Sequence, residues 1–379
     1  MNTTDPRTAL LESVAALVKS DLAPLTSAID REGLYPADFL RKLGALGGLG
    51  AAIPAEHGGA GLDLGAQNDI TTLVARECGS TAFLVWCQTA CAGYLLKSPN
   101  ETVRQRYLSA IARGELFSGT GMSNAVKHLS GIERLHLKAR RDGEDYIVSG
   151  SLPWVSNVGK DHLVIVVAAL EDEPDGYVMF AVRGDAQGVS LHDCPDFSGM
   201  EGTGTFNIRL ADARIPAADV LAHPAQFDDY FSSIKPGFVL AQTGMGFGII
   251  EASLKTIRES NIVTAHVNQF LDDQGEDLAA DYAQLQESAK TLAAQAQAGQ
   301  ADMLEVLKLR AATSELTLRA TNSAVLHAGA KGYLMRHPAQ RRLREAVFVA
   351  IVTPALKHLR KEISALQRTR APAEQAEAA

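Results

Sequence analysis

The stretch GLGAAIPAEHGGAGLDL, Gly48 to Leu64, governs the reading of the N-terminal third. Five glycines and a proline fall between Gly48 and Gly61, too many for regular helix, so this is a loop with tight backbone approaches. Helical patterns flank it. Leu10, Leu11, Val14, Leu17 and Val18 recur at spacings of three and four, one apolar face of a helix. Asp30 to Leu46 repeats the pattern with Leu34, Phe39, Leu40 and Leu43. Downstream it resumes through DITTLVARECGSTAFLVWCQTACAGYLL, residues 69–96.

Beyond about Leu116 the texture changes. Short apolar runs alternate with turns: HLKARRDGEDYIVSGSLPWVSN, HLVIVVAAL, GYVMFAVRG and GTFNIRLADARIP. RDGEDY, residues 141–146, is a hairpin signal. Strands at this spacing predict a small β-barrel or sandwich. From Phe227 the pattern is helical again, at Ile234 to Arg258, Leu278 to Ala298 and Asp302 to Ala328, as in an antiparallel bundle. The reading is an α+β multidomain chain: an all-α domain at 1–114, a β domain at 115–224, a helical bundle at 225–366 and a disordered tail at 367–379.

With 379 residues the chain is long enough for two or three domains. Hydrophobic residues make up 46% and charged residues 21%, ordinary for a globular protein. A net charge of −8 argues against a nucleic-acid surface, which needs a basic face. Cys78, Cys87, Cys91 and Cys194 form no CxxC pair and no metal spacing, and Cys87 and Cys91 read as small core residues. MNTTDPRTALLES carries no basic-then-apolar leader, and the run Leu163 to Leu170 is far short of the ~20 residues that span a bilayer. The expectation is a soluble, cytoplasmic protein with no membrane partner.

GMGFG, residues 244–248, superficially matches a dinucleotide fingerprint, but it follows no strand of a βαβ unit; close helix packing explains it better. There is no GxSxG, HExxH or P-loop, and the ten histidines are scattered, so nothing points to metal or triad chemistry. Trp154 and Ser156, at a strand end, fit a flat apolar plate with polar edges: the indole packs on the face and the hydroxyl donates to the edge. Alone they read more readily as a core tryptophan and a turn serine.

Four motifs in order resemble the acyl-CoA dehydrogenase superfamily of flavoproteins. The opening loop is similar to its Gly-x-x-Pro-x-x-x-Gly-Gly-x-Gly element through Gly50, Pro54, Gly58, Gly59 and Gly61. YIVSGSLPWVSNVGKDHLVIVVA resembles its strand pair through Tyr146, Gly150, Trp154, Ser156 and Asn157. VSLHDCPDFSGMEGTGTFNIRLADARIPAADVLA resembles the close of its β domain. HAGAKGYLMRHPAQRRLREA resembles its Gly-Gly-x-Gly-Tyr to Arg-Asp-Ala segment through Gly329, Gly332, Tyr333, Arg344, Glu345 and Ala346. The resemblance implies an N-terminal helical domain, a middle β domain and a C-terminal four-helix bundle, with FAD, or FMN in its place, as cofactor. It implies flavin contacts from Met122, Ser123, Ser130, Trp154, Ser156, Gly329 and Gly332, and a substrate pocket containing Thr353 and His128. The loop GTGMSNAVKHLSG has lost the family's Thr-Glu-Pro element, with MSNA in its place.

The catalytic residues remain open. In REAVFVAIVTPALKHLRKE, Arg344 to Glu362, the position of the family's proton-abstracting glutamate falls on Thr353. The alternative position used by a second branch falls at about Pro236. Neither is a base. The family's Arg-x-x-Phe-Gly, which reaches a neighbouring subunit's flavin pyrophosphate, is replaced by ESNIVTAHVNQF without an arginine. The resemblance therefore implies a flavin oxidoreductase with non-standard chemistry: a monooxygenase or oxidase, or an atypical oxidation of an acyl-CoA or other acyl thioester. A flavin reductase or electron-transfer protein is the expected partner, and a homotetramer the expected assembly. The alternatives are a dehydrogenase with a relocated base, His128 or His358, the latter depressed by Lys357 and Arg360, and a non-catalytic flavin-binding or assembly subunit.

Overall fold

The computed structural model describes residues 5–377, with side chains through Arg370. Helix α1, Pro6–Leu17, starts at Asp5, whose carboxylate accepts the Thr8 N–H at 3.2 Å. It continues as a π turn over Val18–Leu22, and Val14, Val18 and Leu22 are buried on the face expected from their spacing. The pattern from Asp30 to Leu46 is not one helix. It divides into α2, Thr26–Glu32, and α3, Ala37–Ala45. Gly33 closes α2 in the left-handed region at φ 69°, and Pro36 holds Tyr35 out of helix. Leu34 lies in this break and is exposed.

The glycine-rich stretch is a folded-back loop. Gly50 O accepts the N–H groups of Ile53 and Ala60, and Ala51 O accepts that of Leu62. A Cβ on Gly59 would lie 2.1 Å from Ile53 O, so only glycine fits there. Gln67, from α4, Leu64–Glu77, clamps the loop from below: its amide donates to Gly48 O and accepts from Ala51 N–H, both at 3.0 Å. Helices α5, Gly79–Lys97, and α6, Glu101–Ala112, complete the first helical part.

Strand β1, Ser118–Thr120, leads into helix α7, Ser123–Leu129. The remaining strands are β2, Lys138–Asp142; β3, Asp145–Val155; β4, Leu163–Leu170; β5, Tyr177–Arg183; β6, Val189–His192; β7, Phe206–Ile215; and β8, Val220–Ala222. The eight form one sheet in the order β6-β7-β3-β2-β4-β5-β8, with β1 parallel to β4. β2 and β3 are the expected hairpin, turning at Gly143 with φ 66°. The apolar run of β4 is buried on both faces. Val164, Val166 and Ala168 point into the sheet's own core, while Leu163, Ile165 and Val167 pack on the helices.

Six helices follow: α8, Pro224–Leu240; α9, Thr243–Asn268; α10, Gly275–Gln297; α11, Met303–Ala328; α12, Pro338–Ile351; and α13, Leu356–Glu377. The segment expected to be disordered from 367 carries helical backbone to Glu377, in keeping with its alanine and glutamate content; residues 378 and 379 lie outside the described ones. An 18-residue window within Pro224 to Asn268 is apolar enough to cross a bilayer, but 89% of it is buried in protein, as in a core helix. The glycines of GMGFG are contact points between helices. A Cβ on Gly244 or Gly248 would meet α4 backbone, at Asn68 O and Thr72 O, and one on Gly246 would meet Thr313 and Thr317 of α11.

Candidate active site

The turn between α12 and α13 carries Val352, Thr353 and a cis-linked Pro354. Thr353 faces the start of α7, and its Oγ1 lies 2.7 Å from Ser123 Oγ. The Gln242 amide, in the break between α8 and α9, donates to Thr353 O at 2.9 Å. Gln242 Oε1 in turn accepts from Arg310 Nε at 2.8 Å, and Arg310 also donates to Val349 O at 2.6 Å and to Ser314 Oγ. Arg310 is wholly buried on α11, and burial pushes its pKa down to about 10. Among the described residues it forms no ion pair. A buried cation thus fixes the backbone of this turn through one glutamine. Sequence reading missed both Gln242 and Arg310, because no motif marks them.

The carboxylates closest in sequence are committed elsewhere. Glu345 is buried on α12, 3.2 Å from Arg341 Nε, and accepts the Gly79 N–H at 3.0 Å. Glu362, on α13, accepts from Ser130 Oγ at 2.5 Å and from Lys235 Nζ at 2.8 Å, and lies 2.7 Å from His358 Nε2. Burial alone would raise its pKa, but the bonds to His358, Lys235 and Ser130 outweigh it and hold the group down to about 2. So weak a base is a poor proton acceptor. His358 is itself buried. It faces Glu362, whereas Arg360 is turned away to Glu315, which corrects the expected setting among cations. Its Nδ1 has no partner. His128 has both ring nitrogens engaged, with Glu133 O and Tyr177 OH, each at 3.1 Å.

The other expected site residues divide into three places. Met122 is buried at the foot of α7, beside Ser123. Trp154 and Ser156 end β3 close by, since a Cβ on Gly119 of β1 would sit 2.5 Å from Ser156 O. Ser156 Oγ lies 2.7 Å from Thr205 Oγ1. The Trp154 indole is 62% exposed, touched edge-on by Phe197, and its backbone is left-handed at φ 55°. Gly329 and Gly332 lie at the C-terminal end of α11 beside the exposed Tyr333. The segment expected as a glycine-rich loop, GTGMSNAVKHLSG, is largely helix α7, with Ser130 tied back to α13. Without glycine between Met122 and Ser130, nothing interrupts that helix.

A cavity of about 600 Å³ lies between the glycine-rich loop, α5 and α8. Its walls are mostly apolar, including Leu49, Ile53, Tyr94, Ile234 and Phe238. Ala241, in the lining, directly precedes Gln242, whose amide bonds to Thr353 O.

Residues 4–115 match the family model described as acyl-CoA dehydrogenase, N-terminal domain. A probable acyl-CoA dehydrogenase, YngJ of Bacillus subtilis, is 27% identical over 358 residues, covering 90% of this chain and 92% of its own. Over nearly its whole length the chain is thus similar to acyl-CoA dehydrogenases, and residues 4–115 match their N-terminal domain. Its fold follows the superfamily's three-part plan. Butyryl-CoA dehydrogenase from Megasphaera elsdenii superposes with a TM-score of 0.86 at 20% identity, over 97% of this chain and 99% of that one. A prolyl acyl carrier protein oxidase, AnaB, superposes with a TM-score of 0.79 at 20% identity, over 96% and 99%.

Proposed function

We propose that the chain is an FAD-dependent oxidoreductase that works without a carboxylate base at the superfamily's usual position, and that it carries out an oxygen-dependent, monooxygenase- or oxidase-type reaction. The observation that carries this reading is the contact between Ser123 Oγ and Thr353 Oγ1. Neither hydroxyl accepts a carbon-bound proton near neutral pH. Glu362, held ionised and only weakly basic, does not replace them.

The residues present fit a flavin. Trp154 presents an exposed aromatic face, held in a backbone conformation unusual for an aromatic residue, a strain of the kind found at ligand sites. Ser156 and Ser123 supply hydroxyls to the polar edge of the same plate, and Thr205 and Thr353 orient them. When bound, the isoalloxazine supplies a two-electron donor and acceptor. The protein's part is to hold it, to exclude water and to seat the substrate's apolar portion in the chamber between α5 and α8. An acyl thioester or a related acyl compound is the proposed substrate class; a flavin reductase would supply the electrons of the monooxygenase form, and the substrate itself those of the oxidase form.

Oxygen uptake tests the reading. FAD-loaded protein, reduced by a reductase and NADH, is given oxygen and a panel of acyl compounds. Substrate-dependent oxygen consumption with an oxidised product supports it. Efficient turnover of an acyl-CoA with an artificial electron acceptor and no oxygen contradicts it.

A further inference from the structure

A glycine inside a helix costs stability relative to alanine, and it is normally retained for a positive φ or for a close approach by a neighbour. Most glycines here meet one of these conditions. Gly44, Gly79, Gly244, Gly246 and Gly248, all helical, would each place a Cβ within 3 Å of another residue. Gly143, Gly299 and Gly329 have open space around them but sit at φ 66°, 71° and 59°. Among the described residues only Gly93 and Gly237 meet neither condition: both lie within helices, neither has positive φ, and a Cβ on either would find nothing within 4 Å.

Both line the large apolar chamber, Gly93 from α5 and Gly237 from α8. They lie at the same level, because the next residues, Tyr94 and Phe238, have ring centroids 6.2 Å apart. The missing side chains therefore widen the chamber at one point from two walls, rather than lengthening it. A straight methylene chain needs no such width.

We propose that Gly93 and Gly237 set the width of the substrate chamber and admit a substrate whose apolar part is branched or cyclic. This rests on the reading above that the substrate's apolar portion occupies the chamber. In the lining Gln67, Tyr94, Thr89, Lys97 and Gln297 are already bonded, to Gly48 O and Ala51 N–H, Thr120 Oγ1, Trp86 O, Ser233 O and Leu64 N–H, and Glu56 is exposed, so the group received beside the two glycines is apolar. No covalent step is added to the reaction; the glycines act through shape alone.

Calorimetric titration of the FAD-loaded protein with two probes, hexanoyl-CoA and cyclohexanecarbonyl-CoA, tests this. Wild type is expected to bind the ring-bearing probe at least as tightly as the straight one. Gly93→Leu and Gly237→Leu are expected to weaken the ring-bearing probe tenfold or more and the straight probe less than threefold. Gly93→Ala and Gly237→Ala, which favour helix and so fold, are expected to raise the melting temperature and to weaken the ring-bearing probe several-fold. Unchanged affinities in the alanine variants overturn the proposal, as does equal loss of both probes in the leucine variants. Wild type that holds flavin but binds neither probe also overturns it and leaves the flavin reading standing; failure to hold flavin overturns that reading itself.

Discussion

The Oγ of Ser123 and the Oγ1 of Thr353 lie 2.7 Å apart, joining the first turn of α7 to the turn between α12 and α13. On the proposed reading these two hydroxyls occupy the position of the superfamily's base. One hydroxyl donates to the other, whose own proton stays available, and the Thr353 carbonyl is fixed separately by Gln242. On that reading the pair positions a surface and moves no carbon-bound proton.

The indole of Trp154 is expected to bear on the flavin. Since the side chain is largely exposed, Trp154→Ala removes little core packing, and the melting temperature of the flavin-free protein should hold. Flavin affinity should fall about tenfold, roughly the 1.4 kcal/mol of one lost aromatic contact, with a changed absorption spectrum. Fluorescence titration with FAD reads both.

Arg310 should matter for folding. Arg310→Ala leaves Gln242 Oε1 and Val349 O without their donor and opens a void in α11's buried face. The expected cost is about 2–5 kcal/mol, from orphaned acceptors plus the cavity. Chemical denaturation measures it, and Gln242→Leu should reproduce part of the loss.

Much of the architecture was legible because it is written in periodicity. The stripe through Val14 and Val18, the hairpin around Gly143 and the two-sided β4 each follow from spacing alone. Errors arose where one residue overrides a pattern. Gly33 and Pro36 cut the helix read from Asp30 to Leu46, and the loss of glycine beyond Met122 turned an expected loop into α7. The candidate site was read only through motifs. Trp154, Ser156 and Thr353 sit in recognisable strings, whereas Gln242 meets Thr353 across 111 residues and Arg310 reaches it only through Gln242, a chain of bonds that no local pattern encodes. The glycines Gly93 and Gly237 are indistinguishable in sequence from packing glycines such as Gly246; only the space beside them tells the two apart.

Acid should loosen the junction of α7, α8 and α13. The Glu362 carboxyl is held at about 2, below its ordinary value of 4.5. A depressed carboxylate contributes stability above its unfolded value, and that contribution is lost as the pH falls from about 4.5 through about 2. The loss is on the order of 3 kcal/mol. Glu362→Gln should be less stable than wild type at pH 7 and show a flatter acid limb, read from denaturation midpoints between pH 7 and pH 2.5.

Self-association should follow from the end of the bundle where α9 and α11 meet. Ile262, Val263 and Phe270 are 83%, 76% and 81% exposed, and Asn268 there bonds to His327 O, near the exposed Tyr333 and Met335. An apolar surface of this kind is expected to be covered by another copy, in a homotetramer. Sedimentation at micromolar concentration should find a particle several times the 40.4 kDa chain, and Phe270→Glu should reduce it.

The most direct measurement of the central claim is the rate at which acyl-CoA esters bleach the FAD-loaded protein without oxygen, in wild type, Thr353→Ala and Thr353→Glu. With only a hydroxyl pair at the base position, wild type should bleach slowly and Thr353→Ala should lie within about tenfold of it, well short of the 10²–10⁴-fold that follows loss of a general base. Thr353→Glu, a carboxylate beside the apolar Val349 and Val352, should bleach faster than wild type. Rapid bleaching by wild type that falls more than about a thousandfold in Thr353→Ala would contradict the account.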